Sequence, residues 1–130
     1  MDKIALITDI HANLEALKAI LDDLKSKNIK QIYSLGDAIG LGYDSSAVLD
    51  LLMENNVINI LGNSEAYVTM GVDYFPYLKH CNEEKYYNAL WTISQLNSKQ
   101  LDYLRKCVSS IIINYNGKRI GLCHQRSLQD

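Results

Sequence analysis

Three apolar runs of strand length, Ile4-Ala5-Leu6-Ile7, Gln31 to Leu35 and Val57 to Leu61, alternate with two stretches whose apolar residues recur at helical spacing. That order constrains the fold more than any other feature of the chain. Consecutive parallel strands need a crossover, so strand, helix, strand, helix, strand predicts an α/β fold with a βαβαβ start and a parallel sheet. The first run is apolar throughout, the pattern of a strand buried on both faces. Asn13 can cap a helix carrying Leu14, Leu17, Ile20, Leu21 and Leu24, with Glu15 favourably placed near its positive end. Gly36, Gly40 and Gly42 break the chain before Asp44, Ser45 or Ser46 caps a second helix carrying Val48, Leu51 and Leu52.

The rest is less regular. Tyr67, Tyr74, Phe75 and Tyr77 crowd around the single proline, Pro76, and residues 66 to 81 read as a partly ordered loop. Asn82 can cap a helix with Tyr87, Leu90 and Trp91 on one face, and Ser98 a shorter one with Leu101 and Leu104 inward. Val108 to Tyr115 and Lys118 to Cys123 flank Asn116-Gly117, a strong hairpin signal. The 130 residues suit one domain, 1–130, able to bury about two thirds of its unfolded surface.

A net charge of −2 and the lack of a Lys/Arg run give no strong nucleic-acid signal. Cys81, Cys107 and Cys123 are odd in number and form no CxxC pair, which favours reduced thiols packed as small apolar residues. Met1-Asp2-Lys3 leads straight into a strand, and no apolar stretch approaches membrane-spanning length. The expectation is a soluble, cytoplasmic protein with no membrane partner.

Each of the first three strands ends in polar residues that its turn does not strictly need: Asp9 and His11, then Asp37, then Asn63. His124 follows the last hairpin strand in the same way. The carboxyl ends of parallel strands line up along one edge of a sheet, where ligands bind, so five oxygen or nitrogen donors would converge. Such a set suits two divalent cations about 3.5 to 4 Å apart, with Asp37 as the natural bridge. A hydroxide held between the ions could then attack phosphorus in line.

The blocks DIH at 9 to 11, GDAIG at 36 to 40 and GNSE at 62 to 65 resemble the DxH, GDxxG and GN(H)(D/E) blocks of the calcineurin-like metallophosphoesterases. The likeness is to the small bacterial branch in particular, where wording similar to DIHANLEALKAIL and SLGDAIGLGYD is typical, and it covers nearly the whole chain. It implies that Asp9, His11 and Asp37 hold a first metal and Asp37, Asn63 and His124 a second. It also implies a four-layer αββα sandwich and hydrolysis of a phosphomonoester or phosphodiester. The ion in such enzymes is often manganese, iron, zinc or nickel, and the ligand types do not choose among them. Asp37, Asn63 and, more weakly, Ser64 are the catalytic candidates.

The chain departs from the family pattern in several places. Ser64 stands where many members carry a histidine that protonates the leaving oxygen, and a hydroxyl is far too weak an acid to replace imidazole. Hydrolysis without a histidine general acid is expected to be slow or to prefer leaving groups that need little protonation. Glu65 is left to orient Ser64 or a water. Gln125 and Ala12 each replace a usual glycine, and the GHxH block that would add a ligand to each metal is absent. The domain therefore reads as incomplete: the front part of a longer protein, a truncation product, or a chain that borrows ligands from a partner.

Two rival functions fit parts of the pattern. A non-catalytic metal-binding or interaction module would explain both Ser64 and the missing block. A nucleotide-binding oxidoreductase would use Gly36, Gly40 and Gly42, but Asp37 inside that loop would repel a pyrophosphate. Apolar sheet surface left uncovered by a missing C-terminal segment predicts self-association. His80 reads as surface, and the tyrosines and Trp91 as packing residues.

Overall fold

The computed structural model describes residues 2–125. It contains β1 (Ile4–Ile7), α1 (Leu14–Ser26), β2 (Gln31–Ser34), α2 (Ser45–Glu54) and β3 (Ile58–Asn59) in the expected alternation. There follow α3 (Asn63–Met70), a 3₁₀ turn (Val72–Tyr74), α4 (Pro76–Cys81), α5 (Glu83–Ser94), α6 (Ser98–Arg105) and the hairpin of β4 (Ser110–Tyr115) and β5 (Lys118–Cys123). β2 is the central strand of a parallel sheet ordered β1-β2-β3. The hairpin pairs Ile113 with Ile120, and Asn116 and Gly117 take φ of 51° and 75°, the two positive values of a type I′ turn.

Alternation across the pleat sends Ala5 and Ile32 to one face, where they join Leu17, Val48, Leu49, Leu52 and Leu104 from the helices. Tyr33 and Ile60 point to the other face and pack under Leu122 of the hairpin. β1 is therefore not buried on both faces. Leu6 and Ile58, which flank Tyr33 in register, are each 48% exposed on the hairpin side. β3 is also shorter than 57–61, because the amides at its margins bond elsewhere: Val57 N–H to Leu52 O and Leu61 N–H to Val108 O.

The expected caps hold at Asn13 and Asn82, whose side chains accept from Ala16 N and Lys85 N. Asp44 takes the cap position of α2 without a side-chain bond; Ser45 Oγ accepts instead from Gly40 N. α6 is capped by Asn97 rather than Ser98, with Gln100 reciprocating as a capping box. Gln100 is fully buried, and its amide donates to Ser46 and Asp50, tying α6 to α2.

Residues 66 to 81 are helical, not a partly ordered loop. Gly71, at φ +93°, ends α3 and Pro76 starts α4, so the glycine and proline act as helix stop and start. These short segments hold a small core of Tyr67, Val72, Leu78 and Ala89, with Phe75 edge-on to Tyr67 at 5.0 Å. Tyr87, Leu90 and Trp91 do share a face of α5, but it is the outer one, 59%, 40% and 39% exposed. Ala89 and Thr92 are the buried residues of that helix. His80 is exposed, as expected.

Cys81 and Cys123 are exposed and Cys107 is partly buried, all three unpaired. Burial pushes the Cys107 thiol from its ordinary value to about 11, against the Asn59 amide that hydrogen-bonds it. At about pH 8 its thiolate fraction is about 100-fold below that of an ordinary thiol, so disulfide-reagent labelling should show a correspondingly slow third cysteine. Comparable rates for all three would contradict the packing around Cys107. Tyr103, which donates to Val57 O, is shifted upward by burial too. Upward shifts of acids stabilise the fold fully below the unfolded values and lose that contribution as pH climbs through the folded ones. Stability should therefore fall on the alkaline side, from about pH 9 upward.

No helix among the described residues is long and apolar enough to cross a membrane.

Candidate metal centre

The loops after β1, β2 and β3 meet at one edge of the sheet, laced together by main-chain groups. Asp9 N–H, His11 N–H and Ala12 N–H donate to the carbonyls of Gly36, Asp37 and Ala38 at 3.0, 2.9 and 2.9 Å. Asp9, His11, Ala12 and Asp37 all take positive φ, between 46° and 58°, which side-chain-bearing residues rarely adopt and which the lacing holds in place. These left-handed residues, set on either side of Ile10, let the chain leave β1 with Asp9 and His11 both turned toward Asp37.

The second and third loops are joined by Glu65. Its buried carboxylate accepts from Asp37 N and Gly62 N through Oε1 and from Ala38 N through Oε2, each at 2.8 Å. Glu65 thus serves the main chain rather than orienting Ser64 or a water. The signal was present in the sequence, since a glutamate at the third helical position commonly reaches back to the amide before the helix. Burial pushes this carboxyl above the usual carboxylate range, the three amides oppose the shift, and the nearby Asp37 charge adds to it. Gly62 is extended and could be any residue on backbone grounds; what it supplies is space, since a Cβ there would lie 2.4 Å from Asp37 N and 2.6 Å from Asp37 Oδ1.

The side chains converge on Asp37. Its Oδ1 accepts from Ser64 N at 2.9 Å, while its Oδ2 lies 3.6 Å from His11 Nε2 and 3.3 Å from His124 Nε2. His11 Nε2 is also 3.6 Å from Asp9 Oδ1. Asp9, Asp37 and His124 each offer a donor atom within 4.8 Å of the others, a grouping that can hold a metal ion. His124 reaches the cluster from the end of β5, and its Nδ1 lies 2.8 Å from Leu35 O, which fixes Nδ1 as the protonated nitrogen and frees Nε2. His11 Nδ1 is buried without a partner among the described residues.

A family model described as calcineurin-like phosphoesterase matches residues 2–130. The chain belongs to the calcineurin-like phosphoesterase family. It is 34% identical over 121 residues to the uncharacterized protein MJ0912 of Methanocaldococcus jannaschii, covering 93% of this chain and 48% of that protein. Among solved structures, a metallophosphoesterase from Sphaerobacter thermophilus superposes with a TM-score of 0.66 at 28% identity, over 85% of this chain and 43% of its own. The hypothetical protein PH1004 of Pyrococcus horikoshii OT3 shares the fold, with a TM-score of 0.78 at 21% identity over 93% of this chain and 54% of its own. The chain thus spans about half the length of these relatives.

In this chain Asn63 is the first residue of α3 and lines two cavities, one of them bounded by Asp37. One, of about 90 Å³, is bounded by His11, Asp37, Ser64 and residues of α5; the other by His124, Tyr67, Phe75 and Tyr77. Tyr67 lines both. Its hydroxyl is 2.9 Å from that of Tyr77, and burial together with that contact pushes the phenol up to about 12, opposed by the Asn63 amide. Sequence reasoning brought Asp9, His11, Asp37, Asn63 and His124 to one edge, where the structure has them; it missed Glu65 as the anchor and the contribution of α5.

Proposed function

We propose that this chain carries a dinuclear metal centre for hydrolysis of a phosphomonoester or phosphodiester, with Asp9, His11 and Asp37 as ligands of one ion and Asp37, Asn63 and His124 as ligands of the other. The observation that carries this reading is Asp37 Oδ2 standing between the Nε2 atoms of His11 and His124. Those separations exceed the range of good hydrogen bonds, about 2.7 to 3.2 Å. They approach the about 3.0 to 3.4 Å expected between two donors held about 2.1 Å from a common ion. The donor set therefore fits divalent cations; manganese, iron, zinc and nickel all accept such mixed oxygen and nitrogen ligands.

Cations bound there would supply Lewis acidity toward a phosphoryl oxygen and lower the pKa of an attacking water. The chain's own groups do the rest. Asp37 holds its two oxygens apart in function, Oδ1 pinned by Ser64 N–H and Oδ2 directed at the histidines. Leu35 O accepts from His124 Nδ1–H and keeps the ring oriented with Nε2 toward Asp37. Ser64 offers a hydroxyl and no acid of useful strength, so leaving groups of low pKa should be favoured.

A nucleotide-binding oxidoreductase gains no support, because the space a Cβ would take at Gly36 is already approached to 2.9 Å by Gly62 and His124, leaving no cradle for a pyrophosphate. A metal-binding module without turnover is the second reading, favoured by Ser64. Assays of aryl phosphodiesters and monoesters with manganese separate the two. Turnover that is metal-dependent and lost in Asp37→Asn supports the phosphoesterase; metal binding without turnover supports the module.

A further inference from the structure

The cavity beside His11 and Asp37 is closed on its far side by Lys85, Asn88, Ala89 and Thr92 of α5. These positions form one stripe of the helix, running from exposed Lys85 to buried Thr92. Tyr86, Ala89 and Ile93 of α5 pack on the core of Tyr67, Val72 and Leu78, and beside that apolar stripe Lys85, Asn88 and Thr92 border the cavity. Asn88 has a local use, since its Oδ1 accepts from Leu41 N at 2.7 Å and holds the loop after β2. Lys85 and Thr92 have none. Thr92 is 1% exposed, lines the cavity, and its Oγ1 has no hydrogen-bond partner. A buried hydroxyl left unpaired is costly, and this one belongs to a residue of the cavity wall. Lys85 is the one lysine or arginine lining the cavity, and among the described residues the lysine and arginine bridges are Lys27–Asp23 and Arg105–Asp102.

We infer that this stripe is a subsite for a second anionic group of the substrate, so the substrate class is a phosphate ester that carries a further carboxylate or phosphate. Lys85 meets the charge, and the Thr92 and Ser64 hydroxyls donate to its oxygens. A neutral sugar or alkyl arm would use the hydroxyls or the walls but would leave the ammonium group without a role. The cavity volume of about 90 Å³ admits one such compact group and no large ring system.

The inference rests on the phosphoesterase reading, and one experiment separates the two. The full chain is loaded with manganese, freed of excess ion, assayed for metal content, and titrated calorimetrically with phosphonoacetate and with ethylphosphonate, which differ in the second anion. Phosphonoacetate should bind about tenfold more tightly, the size of one charge-assisted hydrogen bond. Lys85→Gln should bring that ratio to about one, and Thr92→Val should reduce it, with metal content and ethylphosphonate affinity unchanged in both. Lys85 is exposed and its backbone, not its side chain, meets the Asn82 cap, so the glutamine variant keeps the fold. Normal metal content with a ratio unaffected by Lys85→Gln, or near one in the parent chain, would overturn the subsite alone. A parent chain that takes up no metal would overturn the reading beneath it.

Discussion

Glu65→Ala is expected to remove most of the stability of this chain. Three main-chain amides, from Asp37, Ala38 and Gly62, point at one buried carboxylate. Each amide left unpaired costs about 1 to 3 kcal/mol, and the sum is comparable to the about 5 to 15 kcal/mol that stabilises a typical domain. Glu65→Gln should be far milder, about 1 to 3 kcal/mol, because its carbonyl can still serve two amides while its NH₂ faces the third. Urea titration of both variants measures the difference. An alanine variant within about 1 kcal/mol of the parent would mean that the two loops are not held by this carboxylate.

The second large effect is expected at Gly62. A methyl group there would sit 2.4 Å from Asp37 N and 2.7 Å from Glu65 Oε1, and the first of these is backbone that cannot swing aside. Gly62→Ala should cost about 1 to 3 kcal/mol or more in overpacking and displace Asp37 from its place between the histidines. Metal affinity should drop by at least about tenfold with it, as expected when the support of a ligand is disturbed. Gly121→Ala is the control: a Cβ at that strand position meets nothing within 4 Å and should change stability by less than about 0.5 kcal/mol. Equal behaviour of the two alanine variants would remove the close approach as the reason for Gly62.

Much of this was legible in the sequence because the relevant signals are local. Apolar runs broken by Asn13 and by the glycines at 36, 40 and 42 mark strands and helices directly, and Asn116-Gly117 specifies its own turn. The meeting of the polar residues at the strand ends was legible for the same reason, since a parallel sheet aligns its carboxyl ends wherever the crossovers are helices. The region from 66 to 81 was not, because its helices are short and owe their stability to the contacts of Tyr67, Phe75 and Leu78 rather than to propensity. The orientation of α5 was misleading because the helix carries two apolar stripes, and the one that packs inward is Tyr86, Ala89 and Ile93 rather than Tyr87, Leu90 and Trp91. The reach of Glu65 back to Gly62 follows a local capping pattern, but its bonds to the amides of 37 and 38 needed the fold, because those residues are distant in sequence.

If Asp37 is shared by two bound ions, elemental analysis of metal content should show it directly. The purified chain and its Asp37→Asn variant would be loaded with manganese, freed of excess ion and counted side by side. About two ions per chain in the parent and a large loss in the variant are the predicted result. Well below one ion in the parent, or a variant that retains as much metal as the parent, would contradict the account.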